Sequence, residues 1–132
     1  MNSILVLLIM IFLHIVADYN LQGWLASAKQ KKYWEDEAVK MGMSEEGKSK
    51  YRGDYIIALF THSFAWTFLF MLPLLFVFKL SILYYVLFVI NLVLHTFIDN
   101  LKANKFKINL VQDQLLHLIQ IIVTWGLCFI IL

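Results

Sequence analysis

Long uninterrupted runs of apolar residues alternate with polar connections along this chain of 132 residues. Each run is close to the roughly 17–25 residues that an α-helix needs to cross a bilayer. A membrane barrel is disfavoured because its strands alternate apolar and polar residues, whereas these runs are apolar throughout. The sequence therefore predicts an all-α, integral membrane bundle of four transmembrane helices, with spans at Ser3–Tyr19, Tyr55–Phe78, Ser81–Ile98 and Gln114–Leu132.

The connections between the runs predict how the helices are joined. A long cytoplasmic loop is expected over Asn20–Asp54, whereas the Lys79–Ser81 connection is so short that spans two and three should form an antiparallel hairpin. Pro73 predicts a kink or an early end of span two. The first run is expected to be retained, because it lacks the basic start and small-residue cleavage site of a signal peptide. Residues 1–132 are predicted to form a single transmembrane domain.

Composition supports lipid rather than water as the solvent of this chain. Hydrophobic residues make up 61% of it and charged residues only 15%, more apolar side chain than a soluble fold of this size could bury. The net charge of +2 is too small to suggest a nucleic-acid-binding protein. Cys128 is the one cysteine, which excludes an intrachain disulfide, and it is predicted to be a buried thiol.

The distribution of Lys and Arg predicts the orientation. Seven of the eleven lie in the first connection and three more follow span three, while Lys79 stands alone on the other side. The positive-inside rule then places these connections in the cytoplasm and both termini outside, in a multi-pass protein of the bacterial inner (plasma) membrane. The basic, aromatic stretch 23–34 predicts a juxtamembrane helix anchored by Trp24 and Trp34; the alternative is a helix lying on the anionic inner leaflet as a substrate gate.

Three acidic residues lie outside the first connection, and each is four residues from a histidine. A spacing of four puts both side chains on one helix face, one turn apart. Because the spans alternate in direction, each histidine should lie deeper in the membrane than its aspartate. His62 should reach a similar depth, so all four helices contribute to one polar cluster near the inner surface. The pairs are His14 with Asp18, His95 with Asp99, and Asp113 with His117.

Ionisable groups within a membrane are costly, so these should face the bundle interior and pair. One interpretation is an interhelical hydrogen-bond network without metal. The other is a site for one or two divalent ions, of zinc or alternatively manganese or iron, because imidazole nitrogen and carboxylate oxygen suit these metals and no thiolate joins the cluster. We expect the metal site. Its predicted ligands are His14, Asp18, His62, His95, Asp99, Asp113 and His117.

Further polar residues are expected at the cytoplasmic mouth of the cluster. Lys102 is either a group that neutralises an anionic substrate or an ordinary cytoplasmic anchor. Gln114 either positions a water or caps the fourth helix. The mouth set is Gln22, Asn100, Lys102, Gln112 and Gln114.

Three sequence blocks carry a resemblance to a family. The chain resembles an uncharacterised family of small bacterial and phage integral membrane proteins, a domain of unknown function, over nearly its whole length. It is similar, more distantly, to predicted membrane-bound metal-dependent hydrolases, which implies a reaction class by analogy. The blocks are His14-Ile-Val-Ala-Asp18-Tyr-Asn-Leu-Gln22, Ile98-Asp99-Asn-Leu-Lys102 and Asp113-Gln114-Leu-Leu-His117.

The leading hypothesis is a membrane-embedded, metal-dependent hydrolase acting at the cytoplasmic leaflet on a lipid-linked phosphate or ester, with catalytic roles for Asp113, Lys102 and Gln114. One alternative is a metal-ion or proton translocator, for which a homo-oligomer could form the channel. The other is a non-catalytic membrane protein that binds a partner. Polar residues in the outer half of the spans would favour translocation, and few are present: Asn91, Thr67, Gln120 and Thr124.

Overall fold

The computed structural model describes residues 2–78 and 81–131, and this part of the chain is helical without strands. The all-α prediction is confirmed. The helices are α1 (Ser3–Ile15), continued by a π-helical turn (Val16–Asn20), then α2 (Leu25–Ala28), α3 (Lys31–Lys40), α4 (Glu45–Tyr51), α5 (Asp54–Leu75), α6 (Ile82–Ala103) and α7 (Leu110–Ile131).

Four helical segments within the described residues are long and apolar enough to cross a membrane: α1 with its π turn, α5, α6 and α7. Helix α5 ends at Leu75, two residues after Pro73, as the proline predicts. Helices α6 and α7 each extend about a turn into polar sequence beyond the predicted spans, because an apolar run stops where helix-forming polar residues begin. The predicted turn at Lys79 and the predicted end at Leu132 lie outside the described residues.

The segment predicted as a long loop contains three short helices instead. Helix α2 packs against α5, and α3 packs against both α4 and α5. Ser44 caps α4, since its hydroxyl accepts a hydrogen bond from the main-chain N–H of Gly47. The indole of Trp24 donates to the hydroxyl of Tyr33, and the ring of Trp34 packs edge-on against both. This segment therefore has a fixed course along one end of the bundle.

The four long helices form an antiparallel bundle in which α5 packs against α1 and α6, and α7 packs against α1 and α6. At one end the Trp125 indole of α7 donates to the main-chain carbonyl of Ser3 in α1. At the opposite end Gln114 of α7 bonds to Asp18 in the π turn. Sequential helices thus run in opposite directions. At each end of the bundle, one terminus of α1 lies beside the opposite terminus of α7.

The interior of the bundle is divided into an apolar half and a polar half. The apolar half lies toward the start of α1 and contains the buried thiol of Cys128, in agreement with its prediction. The polar half holds buried histidines and aspartates, while large apolar side chains such as Phe12 (62% exposed) cover the outer surface. At the end of the bundle that contains the polar half, the interior is therefore more polar than the outer surface. Buried apolar residues include Val6, Met10, Phe70, Leu74, Leu87 and Ile121.

A small hydrogen-bond network joins α6 and α7 between these halves. The side-chain amide nitrogen of Asn91 donates to the Thr124 hydroxyl over 2.8 Å. The hydroxyl donates in turn to the side-chain oxygen Oδ1 of Asn91 over 3.1 Å. Gln120 donates to the main-chain carbonyl of Asn91 over 2.7 Å. These bonds fix the register of the two helices at a level where few other polar contacts are available.

We expect Asn91→Ala to lower the free energy of unfolding by about 1 kcal/mol, because it removes interhelical hydrogen bonds and leaves the Thr124 hydroxyl unpaired. Unfolding in mixed detergent micelles would measure this change. Val93→Ala, on the exposed face of the same helix, is the matched control. Equal stability of the two variants would contradict the role of the network.

Candidate metal centre

Six buried side chains from four helical segments meet in the polar half of the bundle. We call them the ligand cluster: Asp18, His62, His95, Asp99, Asp113 and His117. They come from the π turn, from the first half of α5, from the second half of α6 and from the start of α7. Antiparallel packing brings these four parts of the chain to one level.

Asp99 is at the centre of the ligand cluster and is 1% exposed. Its Oδ2 lies 3.3 Å from Nε2 of His62. Its Oδ1 lies 3.4 Å from Nε2 of His117 and 3.8 Å from Nε2 of His95. One carboxylate therefore faces three imidazoles from three helices.

The other two carboxylates flank this centre. Oδ1 of Asp18 is 3.3 Å from Nε2 of His62, which is itself 3.3 Å from Nε2 of His95. Oδ1 of Asp113 is 3.4 Å from Nε2 of His117. In every case the histidine presents the same ring nitrogen to the centre.

These separations, apart from the 3.8 Å between His95 and Asp99, match those of atoms that could share an ion. Ligands held tetrahedrally by bonds of about 2.0–2.1 Å lie roughly 3.3–3.5 Å from one another. Nε2 of His117 and Oδ1 of Asp113 are buried and have no hydrogen-bond partner among the described residues, although each faces the other. A donor set of imidazole nitrogen and carboxylate oxygen, with ligand atoms left unpaired, fits a divalent ion.

Three overlapping groups have ligand atoms within 4.8 Å of one another, close enough to hold a metal ion. Since members are shared between groups, the ligand cluster is one compact site rather than several separate ones. The groups are Asp18 with His62 and His95, His95 with Asp99 and His117, and Asp18 with Asp113 and His117.

His14 belongs to none of these groups, although the sequence predicts it as a ligand. Its Nδ1 accepts a 2.7 Å hydrogen bond from the indole nitrogen of Trp66. The π turn that begins two residues later explains the difference, because it holds more residues than an α turn and alters the register between His14 and Asp18. His14 therefore supports Trp66, whose ring stacks on His95 with centroids 4.0 Å apart.

Two lysines hold the outer oxygens of the carboxylates. Lys29 Nζ is 2.6 Å from Oδ2 of Asp99, and Lys102 Nζ is 2.6 Å from Oδ2 of Asp113. The other oxygen of each pair, Oδ1, faces His117, and Oδ2 of Asp99 also lies 3.3 Å from Nε2 of His62. Such partners orient metal-ligating carboxylates in known sites.

Two glutamine amides complete the ring of donors around Asp18. Gln22 donates to its Oδ1 over 2.9 Å, and Gln114 donates to its Oδ2 over 2.7 Å. Gln114 also donates to Oδ2 of Asp113 over 3.1 Å, so it links two carboxylates. Its side chain therefore contributes to the site and does not cap α7.

Asn100 and Gln112, which were predicted at the mouth, have structural contacts instead. Asn100 accepts from Asn104 one turn later, and Gln112 exchanges reciprocal hydrogen bonds with Asn109 at the start of α7. The reciprocal pair satisfies free N–H groups at a helix end.

Lys29 and Trp66 are the site residues that the sequence does not reveal as such. Nothing in the sequence separates Lys29 from the neighbouring Lys31 and Lys32, yet it is only 7% exposed. Trp66 does carry a signal, since it follows His62 by four residues and shares its helix face.

A cavity of about 280 Å³ opens beside the ligand cluster. It lies between the π turn, α2, α6 and α7, and both Lys29 and Lys102 line it. Its polar lining consists of Asp18, Gln22, Lys29, Asp99, Lys102 and Gln114, together with Gln30. The centre is therefore reachable from one end of the bundle.

No protein-family model, curated protein or solved structure matches the chain.

The separation of His14 from the cluster predicts a difference between two histidine variants. His14→Ala should retain bound Zn²⁺, whereas His117→Ala, which removes a member of two groups, should lower Zn²⁺ affinity by at least roughly a hundredfold. Elemental analysis of purified, Zn²⁺-equilibrated protein at a series of free Zn²⁺ concentrations would measure this. Equal losses in both variants would contradict the arrangement described here.

Proposed function

We propose that this chain is a membrane-embedded, metal-dependent hydrolase that acts at the cytoplasmic leaflet on a lipid-linked phosphate or ester. The observation that carries the proposal is the ligand cluster itself, in which three Nε2 atoms and three carboxylates lie 3.3–3.8 Å apart beside an open cavity. A purely structural hydrogen-bond network would pair Nε2 of His117 and Oδ1 of Asp113, whereas both are buried without a hydrogen-bond partner among the described residues.

The donor set favours a metal that accepts nitrogen and oxygen together. Zinc is our first choice, with manganese and iron as alternatives, because Cys128 lies in the apolar half and supplies no thiolate. The three carboxylates exceed the two ammonium groups by one negative charge when the imidazoles are neutral. One divalent ion leaves a smaller net charge than two, so one ion is favoured in a bundle whose surroundings are apolar.

A bound divalent ion supplies a water of lowered pKa and stabilises negative charge on an attacked phosphoryl or acyl group. Asp113 is suited to take a proton because Lys102 holds its Oδ2 and leaves Oδ1 without a hydrogen-bond partner. Gln114 fixes that carboxylate relative to Asp18. Lys102 is half-buried beside the cavity and faces an entering anionic group.

The proposed location follows from the apolar outer faces of the long helices and from the position of the basic residues. The outer faces of α1, α5, α6 and α7 are apolar, and the basic connections lie at the end of the bundle that carries the ligand cluster. By the positive-inside rule that end faces the cytoplasm of a bacterial inner membrane. A substrate held in the inner leaflet could enter the cavity sideways without leaving the lipid.

Translocation of a metal ion or proton is less well supported. A translocator needs polar groups that continue through the outer half of the bundle. Of the polar groups there, Asn91, Thr124 and Gln120 bond to one another and join α6 to α7, and Thr67 adds a single buried hydroxyl. A non-catalytic role in partner binding, and assembly into a homo-oligomer, stay open as alternatives.

Metal content and hydrolysis together test the proposal. We expect purified protein to carry about one Zn²⁺, Mn²⁺ or Fe²⁺ ion per chain and to hydrolyse a phosphatidic acid or ester substrate in mixed micelles. A chelator should abolish activity and the ion should restore it. Asp99→Asn should reduce activity by at least roughly a hundredfold, since outer partners alone contribute about 10–100-fold in known sites.

Asp36→Asn, an exposed acidic residue in α3, is the matched control and should leave metal content and activity unchanged. Absence of stoichiometric metal after loading would rule out the proposal and favour the hydrogen-bonded network. Ion flux across vesicles without hydrolysis would favour translocation.

A further inference from the structure

We infer that Lys29 and Lys102 together bind a phosphate group in the cavity, and that the segment of α2 and α3 serves to bring Lys29 to this site. The inference extends the proposed function, because it names the chemical class that the metal centre would act on.

The position of Lys29 is fixed by its main chain. Asn104, just after α6, donates from its side-chain amide to the carbonyl of Lys29 over 3.0 Å. The side-chain carbonyl of Asn104 accepts from the main-chain N–H of Lys31 over 2.7 Å. The turn between α2 and α3 is thereby bound to the end of the helix that carries Asp99 and Lys102. The Trp34 indole adds a 2.7 Å bond to the carbonyl of Ala28.

Both ammonium groups retain unused donors. A lysine ammonium has three N–H donors. In the part of the chain that the structure describes, Lys29 uses one donor on Asp99 and Lys102 uses one on Asp113. Both side chains line the cavity, and they reach it from different walls. Donors from two lysines can therefore converge on one ligand between them.

The ligand that best fits two ammonium groups is a phosphate. Lysine binds phosphate as a point charge, and a phosphate has several oxygens that can accept from separate donors at once. The two glutamine amides at the same cavity, Gln22 and Gln114, add polar groups that suit the remaining oxygens. A neutral ester offers no negative charge to the donors that Lys29 and Lys102 do not use on Asp99 and Asp113.

The edge of the cavity is apolar and suits a phosphate that carries a hydrocarbon chain. Tyr19, Phe106 and Leu110 line it and are exposed, Phe106 by 78%. Phe106 also has a left-handed backbone conformation, with φ of 53°, which is uncommon for a bulky residue and is often found at functional sites. A lipid phosphate and a water-soluble phosphate would make the same contacts with the two lysines. Only the lipid phosphate has a hydrocarbon chain that could contact this apolar edge.

Charge couples phosphate binding to the metal. Asp18 and Asp99 also line the cavity, and the three carboxylates outnumber the two ammonium groups. An entering anion meets net negative charge until a divalent ion is bound. Phosphate should therefore bind more tightly when Zn²⁺ is present, and by linkage Zn²⁺ should bind more tightly when phosphate is present.

Titration calorimetry in detergent, on protein equilibrated with Zn²⁺, tests the inference. The probes are dioctanoyl phosphatidic acid, dioctanoylglycerol as its phosphate-free analogue, and inorganic phosphate. We expect Lys29→Gln and Lys102→Gln each to weaken binding of dioctanoyl phosphatidic acid by roughly tenfold or more. Lys31→Gln and Lys105→Gln are matched controls, because both side chains are exposed and lie away from the cavity.

The two phosphate probes distinguish the sources of the ligand. Tighter binding of the lipid phosphate than of inorganic phosphate supports a membrane lipid, and equal binding supports a soluble phosphate compound. Dioctanoylglycerol should bind at least roughly tenfold more weakly than its phosphate. Equal affinity for dioctanoylglycerol and its phosphate, or the same affinity in the Lys102→Gln and Lys105→Gln variants, would overturn the inference.

Zn²⁺ content measured on the same samples separates this result from the proposed function. If Zn²⁺ binds normally but the lysine variants bind phosphate as the wild type does, the phosphate site is rejected and the proposed hydrolase is not. If phosphate binding depends on the lysines but the protein binds no Zn²⁺, the proposed hydrolase is rejected and the phosphate site is not. Lys29→Arg keeps the charge and should restore binding to within a few fold. Lys102, whose side chain is 32% exposed, provides the decisive variant if Lys29→Gln does not fold.

Discussion

The negative charge of a buried carboxylate must be compensated by nearby positive charge or hydrogen bonds. Asp99, at the centre of the ligand cluster, is the carboxylate that has the most such partners. Its surroundings include imidazoles from α5, α6 and α7 and the ammonium of Lys29. Removing one partner of a buried charge pair is costly, because it leaves the other uncompensated. The packing of three long helices and the course of the α2–α3 turn therefore depend on one side chain. The division of the interior into a polar and an apolar half follows from gathering these groups at one level.

The arrangement also explains how a small bundle can hold so many ionisable groups. Each carboxylate accepts from a lysine or glutamine and also lies within 3.4 Å of a histidine Nε2. The outer donors thus reduce the repulsion among Asp18, Asp99 and Asp113 and fix their orientation. Known metal sites use the same division between ligands and the groups that orient them.

The sequence predicted the four long helices, because continuous apolar runs of spanning length admit few other structures, but it missed the three short helices between α1 and α5. Because a spacing of four fixes a common helix face, it also predicted that Asp113 lies near His117 and Asp99 near His95, but the predicted pair of His14 and Asp18 is not formed. It could not predict that His14 turns to Trp66, because a π turn depends on local hydrogen bonding that no residue pattern specifies. Lys29 was missed for a different reason. Its burial depends on a tertiary contact with Asn104, 75 residues away, and the lysines beside it are exposed.

The contacts of Asp99 are formed with residues that are synthesised at different times. Lys29 and His62 precede Asp99 along the chain, whereas His117 follows it. When α6 leaves the ribosome, the two partners that contact Oδ2 already exist, so this carboxylate need never wait unpaired for the last helix. Helix α7 then closes a site that is half assembled and brings Asp113 together with its own histidine.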